Sequence, residues 1–287
     1  MRMTDWGEYV HETSAQMALY RESARRLCEV ADLRPGMTVV DLGAGTGLTS
    51  LAALDLVPDG LELTLVEASP ALLAAARTRL GGRATAFHIA DPVAAASQVV
   101  GKVDRVLCNL SLLTFRDPEG ALRAWRGRIK PTGLLCFSLS GTFFNALRDQ
   151  VTPQYVMLRE LHRQGLLPRG IPAVERLPNQ RSVEGTLRDA GFKPAHFEVQ
   201  EIASRLPETE PGGELYNLIR LSPALPGRDH AEAVQRSLAA LPGVAGAIAA
   251  AGARWRVVHF AAQPALTPEE ILQERFGGGQ PDQGTRP

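Results

Sequence analysis

The chain has 287 residues, long enough for one large domain or one domain with a sizeable insertion, and its composition is ordinary for a soluble globular protein. Basic and acidic side chains balance at 31 each, which excludes a nucleic-acid binder that works through bulk positive charge. Three widely spaced cysteines, Cys28, Cys108 and Cys136, exclude a disulfide framework and offer no metal-ligand spacing; they predict reduced, mostly buried thiols in a cytoplasmic protein.

Met1 to Val10 carries Asp5, Trp6, Gly7 and Glu8 where a secretion signal would need an apolar core. Val10 to Ala31 reads as an amphipathic helix, with Met17, Tyr20, Ala24, Leu27, Cys28 and Ala31 at helical spacing. Arg34-Pro35-Gly36 ends it. A strand, Thr38 to Leu42, stops at glycines, and a helix follows over Gly47 to Leu56. Leu61 to Val66 is the second strand. Ser69-Pro70 supplies an N-cap and first-turn proline for a helix over Ala71 to Leu80. Ala84 to Ala90 is the third strand and Val103 to Leu110 the fourth. Asp117-Pro118 caps a helix whose buried face is Leu122, Trp125 and Ile129. Lys130-Pro131-Thr132-Gly133 turns into a fifth strand, Leu134 to Leu139. Strands alternating with helices in this way predict a parallel sheet covered on both faces.

The pattern then changes. Helical pieces fall around Phe144 to Arg163, a further helix over Ser182 to Ala190, and a strand over Ala195 to Ile202. Ala203 to Gly252 is rich in Pro and Ala with helical segments; its apolar run Val244 to Ala251 is far short of the roughly 20 residues that span a bilayer. Trp255 to Ala261 is a last strand. Thr267-Pro268-Glu269-Glu270 opens a short helix, and Gly277 to Pro287 reads as a disordered tail. The expected organisation is 1–35 as an N-terminal helical cap segment, 36–140 as a cofactor-binding core and 141–194 as a helical substrate cap. Residues 195–265 then hold the last two strands with a helical insertion, and 266–287 the short helix and tail.

The strongest signal is Asp41-Leu42-Gly43-Ala44-Gly45-Thr46-Gly47, at a strand–helix junction. Glycines there let the backbone turn sharply and approach a ligand, beside the free N–H groups of a helix N-terminus. A dinucleotide fingerprint would need glycine where Leu48 stands, and no Gly-Lys-Ser/Thr follows for a P-loop. Glu67 ends the second strand 20 residues beyond Gly47, where a carboxylate can accept both ribose hydroxyls of a nucleoside. Asp91-Pro92 ends the third strand, and Asp91 reads equally as a helix cap. Asn109-Leu110 ends the fourth, where Asn109 also reads as a turn residue.

These motifs, in this order on these elements, resemble the class I S-adenosylmethionine (SAM)-dependent methyltransferases of small-molecule type over about residues 36 to 140. The resemblance implies a Rossmann-like α/β fold, a seven-stranded mostly parallel sheet with helices on both faces and a reversed last strand, plus a helical cap. It implies SAM as cofactor, held by Asp41, Gly43, Ala44, Gly45, Gly47, Glu67, Ala68, Asp91, Pro92, Asn109 and Leu110. In that family an acidic residue at the position of Asp91 accepts from the adenine amino group, and the position of Asn109 and Leu110 contacts the methionine part. Thr132 departs from the family's usual glycine in the turn before strand five.

The expected activity is methyl transfer to a small-molecule acceptor through O, N or C, in secondary metabolism. The alternative is a SAM-binding protein of the same fold without methyl transfer, a pericyclase or an accessory partner. Asn109-Leu110-Ser111-Leu112 lacks the prolines and aromatic residue of base-modifying enzymes, so no nucleic-acid partner is expected, nor a membrane. The oligomeric state stays open, with a homodimer among the options. No metal is expected. Positioning alone can supply much of the rate, and the candidate bases are His162, beside Tyr155 in the cap, and His11, near Tyr9 and Tyr20; His88 reads as structural.

Overall fold

The computed structural model describes residues 18–84, 86–140, 152–166, 179–203 and 230–267. His11, Tyr9 and Met17, the part of the expected helical region at 144–151 and the helix expected beyond Thr267 lie outside the described residues.

The chain begins with α1 (Ala18–Val30), then alternates β1 (Thr38–Leu42), α2 (Leu48–Leu56), β2 (Glu62–Glu67), α3 (Pro70–Leu80), β3 (Ala86–Ile89), α4 (Pro92–Gln98) and β4 (Val103–Asn109). A 3-10 turn, Leu112–Thr114, leads to α5 (Pro118–Arg126) and β5 (Ile129–Ser140). There follow α6 (Pro153–Arg163), α7 (Gln180–Asp189), β6 (Phe192–Ala203), α8 (His230–Ala239), α9 (Leu241–Ala250) and β7 (Arg254–Pro264). One seven-stranded sheet has the order β3-β2-β1-β4-β5-β7-β6. The pairs among β1 to β5 are parallel, and β7 runs antiparallel to both β5 and β6.

Strands buried on both faces must be apolar throughout, and Val39 and Val40 show why. Val39 packs with Leu27 of α1, Ala53 of α2 and Leu73 of α3 on one face. Val40 packs with Ala95 of α4, Trp125 of α5 and Leu187 of α7 on the other. Ser69 and Asp117 cap α3 and α5 as their sequence positions predict, accepting from Leu72 N at 3.4 Å and Gly120 N at 2.8 Å.

The Lys130-Pro131-Thr132-Gly133 segment departs from expectation. It lies inside β5 as an irregularity against Val103 to Arg105, not before the strand. The Lys130 ammonium meets Asp104 at 2.8 Å. A side chain at Gly133 would come within 2.8 Å of the Asp104 carbonyl, so only glycine lets the two strands close around the bulge. Ile129 is therefore the first residue of β5 rather than part of the α5 face.

A separate apolar cluster forms from α6 (Val156, Met157, Leu161), α8 (Val234) and α9 (Leu241, Val244, Ile248). These helices come from two different insertions. One leaves the carboxyl end of β5; the other leaves the carboxyl end of β6 and re-enters at β7. No helix among the described residues is long and apolar enough to cross a membrane.

Candidate active site at the carboxyl ends of the parallel strands

The chain moves outward from β1 to β2 and β3, then returns to place β4 on the other side of β1. Such a reversal opens a crevice beyond the strand ends, between the β1 and β4 loops. Both loops carry the residues singled out in the sequence.

The β1 loop is tied down from several sides. Gly43 N and Ala44 N donate to the Val66 carbonyl at 2.9 and 3.0 Å. Gly45 N donates to one oxygen of Glu67 at 2.9 Å, and Ser69 N to the other at 2.9 Å. Glu67 thus joins the ends of β1 and β2 through its own carboxylate, a role the sequence did not reveal. Ala68 beside it is exposed.

Three glycines of the loop have positive φ, and they divide by what surrounds them. A Cβ at Gly43 would stand 2.7 Å from Ser111 Cβ and 2.9 Å from the Phe115 ring, and one at Gly47 3.0 Å from Ala76 Cβ. These two are demanded by packing. At Gly45 a Cβ would meet nothing within 4 Å, so its bare backbone faces open space. That is the condition for a ligand to approach the main chain closely, and it fits the nucleoside cofactor that the loop sequence implies.

Asp41, just before the loop, is buried. One oxygen accepts from the Ser50 hydroxyl at 2.7 Å; the other is buried without a partner. Burial pushes its carboxyl up to about 7, against the bond from Ser50, which pulls it down. An unpaired buried oxygen costs about 1–3 kcal/mol.

The β4 loop is equally built. The Ser111 hydroxyl shares its one hydrogen between Gly43 O at 2.9 Å and Asn109 O at 3.0 Å, bridging the two sides of the crevice. Asn109 and Ser138 are register partners, and the Ser138 hydroxyl donates to Asn109 Oδ1. Leu110 has φ +55, a left-handed conformation that costs a non-glycine residue roughly 1–2 kcal/mol. Its side chain packs against the cluster that holds Leu19 of α1 and Trp255, as does Tyr20. The N-terminal helix therefore meets the end of β4.

Asp91 is exposed and caps α4, accepting from Val93 N at 2.9 Å, while the buried Pro92 gives its carbonyl to the Trp125 indole at 2.8 Å. The cap role is thus visible for Asp91. Nearby, Ile89 is 59% exposed at the end of β3, in register with Glu67. His162 is exposed in the last turn of α6, a helix whose buried face belongs to the separate helical cluster. His88 sits in β3.

Sequence reasoning missed Ser50, Ser111, Ser138, Arg79 and His259. The Arg79 guanidinium on α3 bonds Thr46 in the loop. His259 on β7 is fully buried in register with Ser138; one ring nitrogen faces Gln200 Oε1 at 2.9 Å and Nδ1 has no partner. All three cysteines are free and buried, and burial pushes the Cys136 thiol up to about 12, which leaves it protonated. No cluster of three metal-ligating side chains occurs among the described residues.

Comparison with known proteins agrees with this geometry. Residues 40–135 match the model of a methyltransferase domain. The ubiquinone/menaquinone biosynthesis C-methyltransferase UbiE of Shewanella frigidimarina is 26% identical over 190 residues, covering 62% of this chain and 75% of that one. The structure of a SAM-dependent methyltransferase from Thiobacillus denitrificans with S-adenosylhomocysteine superposes with TM-score 0.56 at 17% identity, over 92% of this chain and 98% of that one. The cyclase SpnF shares the fold at TM-score 0.50 and 17% identity, over 86% of this chain and 82% of that one. A crevice at the strand reversal, a glycine loop open at Gly45 and a matching domain model converge: residues 40–135 carry a methyltransferase domain, in a fold shared with SAM-dependent methyltransferases and with SAM as its cofactor.

Proposed function

We propose that the protein methylates a small-molecule acceptor enclosed between the carboxyl ends of β4 and β5 and a helical cap made by α6, α8 and α9. The observation that carries this reading is the single apolar cluster formed by helices of two separate insertions, both attached at the sheet end that bears the glycine loop. Two insertions that share a core form a roof, and a roof suits a compact acceptor better than a polymer.

In this reading the open backbone at Gly45 and the Glu67 carboxylate hold the nucleoside, with Asp41, Gly43, Ala44 and Gly47 shaping the loop. Ala68, Ile89, Asp91 and Pro92 border the adenine, and Asn109 and Leu110 border the methionine end. SAM supplies an electrophilic methyl group on a sulfonium. The protein's part is to bring the nucleophile into line and exclude water, which rate enhancement by positioning requires. Leu110, Leu19 and Tyr20 give that end an apolar wall. The curated relatives are C-methyltransferases by name, which puts carbon nucleophiles first in an acceptor screen.

Calorimetric titration with SAM, S-adenosylhomocysteine and NAD tests the cofactor half of this assignment. Both sulfur nucleosides bind and NAD does not. Incubation with methyl-labelled SAM and a panel of enolic, phenolic and amine small molecules, with tRNA and a protein mixture as controls, tests the acceptor. Label recovered only in a macromolecule would overturn the small-molecule reading.

A further inference from the structure

The Ser138 hydroxyl is fully buried and receives the Leu110 N–H at 3.0 Å. A hydroxyl that accepts there still has one hydrogen to give, and it gives it to Asn109 Oδ1. In this arrangement the amide oxygen faces Ser138. That oxygen is committed inward, so the Nδ2 end, carrying two N–H donors, turns away from Ser138. Asn109 is only half-buried, at the mouth of the crevice where Ser111 bridges to Gly43. The Asn109 side chain thus presents its donors, while its own oxygen is taken. The amino-acid end of SAM has one group that wants a donor and one that wants an acceptor: a carboxylate and an ammonium.

We infer that Ser138 is a positioning residue for the cofactor, turning Asn109 so that its amide N–H groups bind the carboxylate of the cofactor's amino-acid end. This rests on the cofactor site proposed above. Ser138 touches neither cofactor nor acceptor; it acts through Asn109 and through the Leu110 backbone. The same hydroxyl that orients the amide also holds Leu110 in its left-handed conformation.

The probes are S-adenosylhomocysteine and 5′-methylthioadenosine, which shares the adenosine and sulfur but lacks the amino-acid end. Calorimetry compares wild type, Ser138→Ala and Asn109→Asp, each checked for folding by its thermal transition. Loss of one charge-assisted hydrogen bond lowers affinity about tenfold. The expected result is that Ser138→Ala weakens S-adenosylhomocysteine about tenfold and leaves methylthioadenosine within about twofold. Asn109→Asp weakens S-adenosylhomocysteine at least as much, because Ser138 still donates to the new carboxylate and sets charge against charge. Unchanged binding of S-adenosylhomocysteine in either variant overturns the proposal. So does an equal loss for both ligands, which a merely structural role would give, or an oxygen that belongs to the acceptor, which would leave both ligands untouched. Failure of wild type to bind either compound overturns the cofactor site itself and is seen before any variant is made.

Discussion

Arg79 of α3 donates one guanidinium nitrogen to both the carbonyl and the hydroxyl of Thr46, the latter at 2.5 Å, inside the glycine loop. Thr46 is buried, so this cation holds the loop from beneath. Arg79→Ala removes two bonds to buried acceptors and is expected to cost about 1–2 kcal/mol in urea unfolding. It is also expected to speed amide exchange across 45–47 and weaken S-adenosylhomocysteine severalfold. Arg79→Lys, whose single nitrogen also carries several N–H donors but sits on a shorter side chain, should recover part of this. Unchanged exchange in Arg79→Ala would show that the loop needs no such support.

The two kinds of glycine in the loop separate stability from binding. Gly43→Ala drives a methyl into Ser111 and Phe115, and is expected to lower stability by about 2 kcal/mol or more. Gly45→Ala meets no neighbour, so it should cost only about 1 kcal/mol for its positive φ while lowering S-adenosylhomocysteine affinity at least tenfold. Urea midpoints beside calorimetry distinguish them. Equal losses of both quantities in the two variants would refute the division.

Asp41 gives the protein an unusual pH dependence. Its carboxyl titrates near 7 when folded, and near the ordinary 3.8 when unfolded. Between those values the folded state keeps a proton that the unfolded state has lost. Asp41's contribution therefore declines as pH rises through this window, then stays level. Relative to wild type, Asp41→Asn should gain stability steadily from pH 4 to 7 and hold its gain above. A flat difference across pH 4 to 8 would mean that the carboxylate ionises normally.

His259 has the opposite sign. Burial lowers its imidazole from 6.5 to about 4, opposed by Glu198 and reinforced by Arg26 and His196. As pH falls from 6.5 toward 4 the unfolded chain takes up a proton that the folded one refuses, and stability is lost. His259→Gln should close its gap to wild type, or overtake it, in that range. In wild type the Asp41 and His259 slopes largely cancel between pH 4 and 6.5, so removing either group alone leaves the slope of the other visible. Parallel curves for wild type and His259→Gln would place the ring's proton equilibrium in solvent.

The alternation of strands and helices was legible because burial on both faces forces continuous apolar runs, as at Val39 and Val40. The glycine loop was legible because positive φ at Gly43, Gly45 and Gly47 admits few other residues. Pro131 and Gly133 misled because the same residues that end a strand also permit a bulge within one. Ser138 and His259 left no signal: each is one polar residue in an apolar run, and only the register of β4, β5 and β7 aligns them. Glu67 was found for its chemistry, but its hold on the Gly45 and Ser69 amides depends on the spacing of two loops that sequence does not give. The shared core of α6, α8 and α9 joins residues about 80 apart in sequence, beyond the reach of any periodicity.

Between α9 and β7 the chain has only Ala251, Gly252 and Ala253, and Ala253 is itself packed in the helical cluster. The links that join α6 and α8 to the strands and helices outside the cluster are longer. Within this short link Gly252 alone has positive φ. A displacement of the cluster would pass into β7, one strand from Ser138, and from Trp255 at the start of β7 to Leu110 beside the glycine loop.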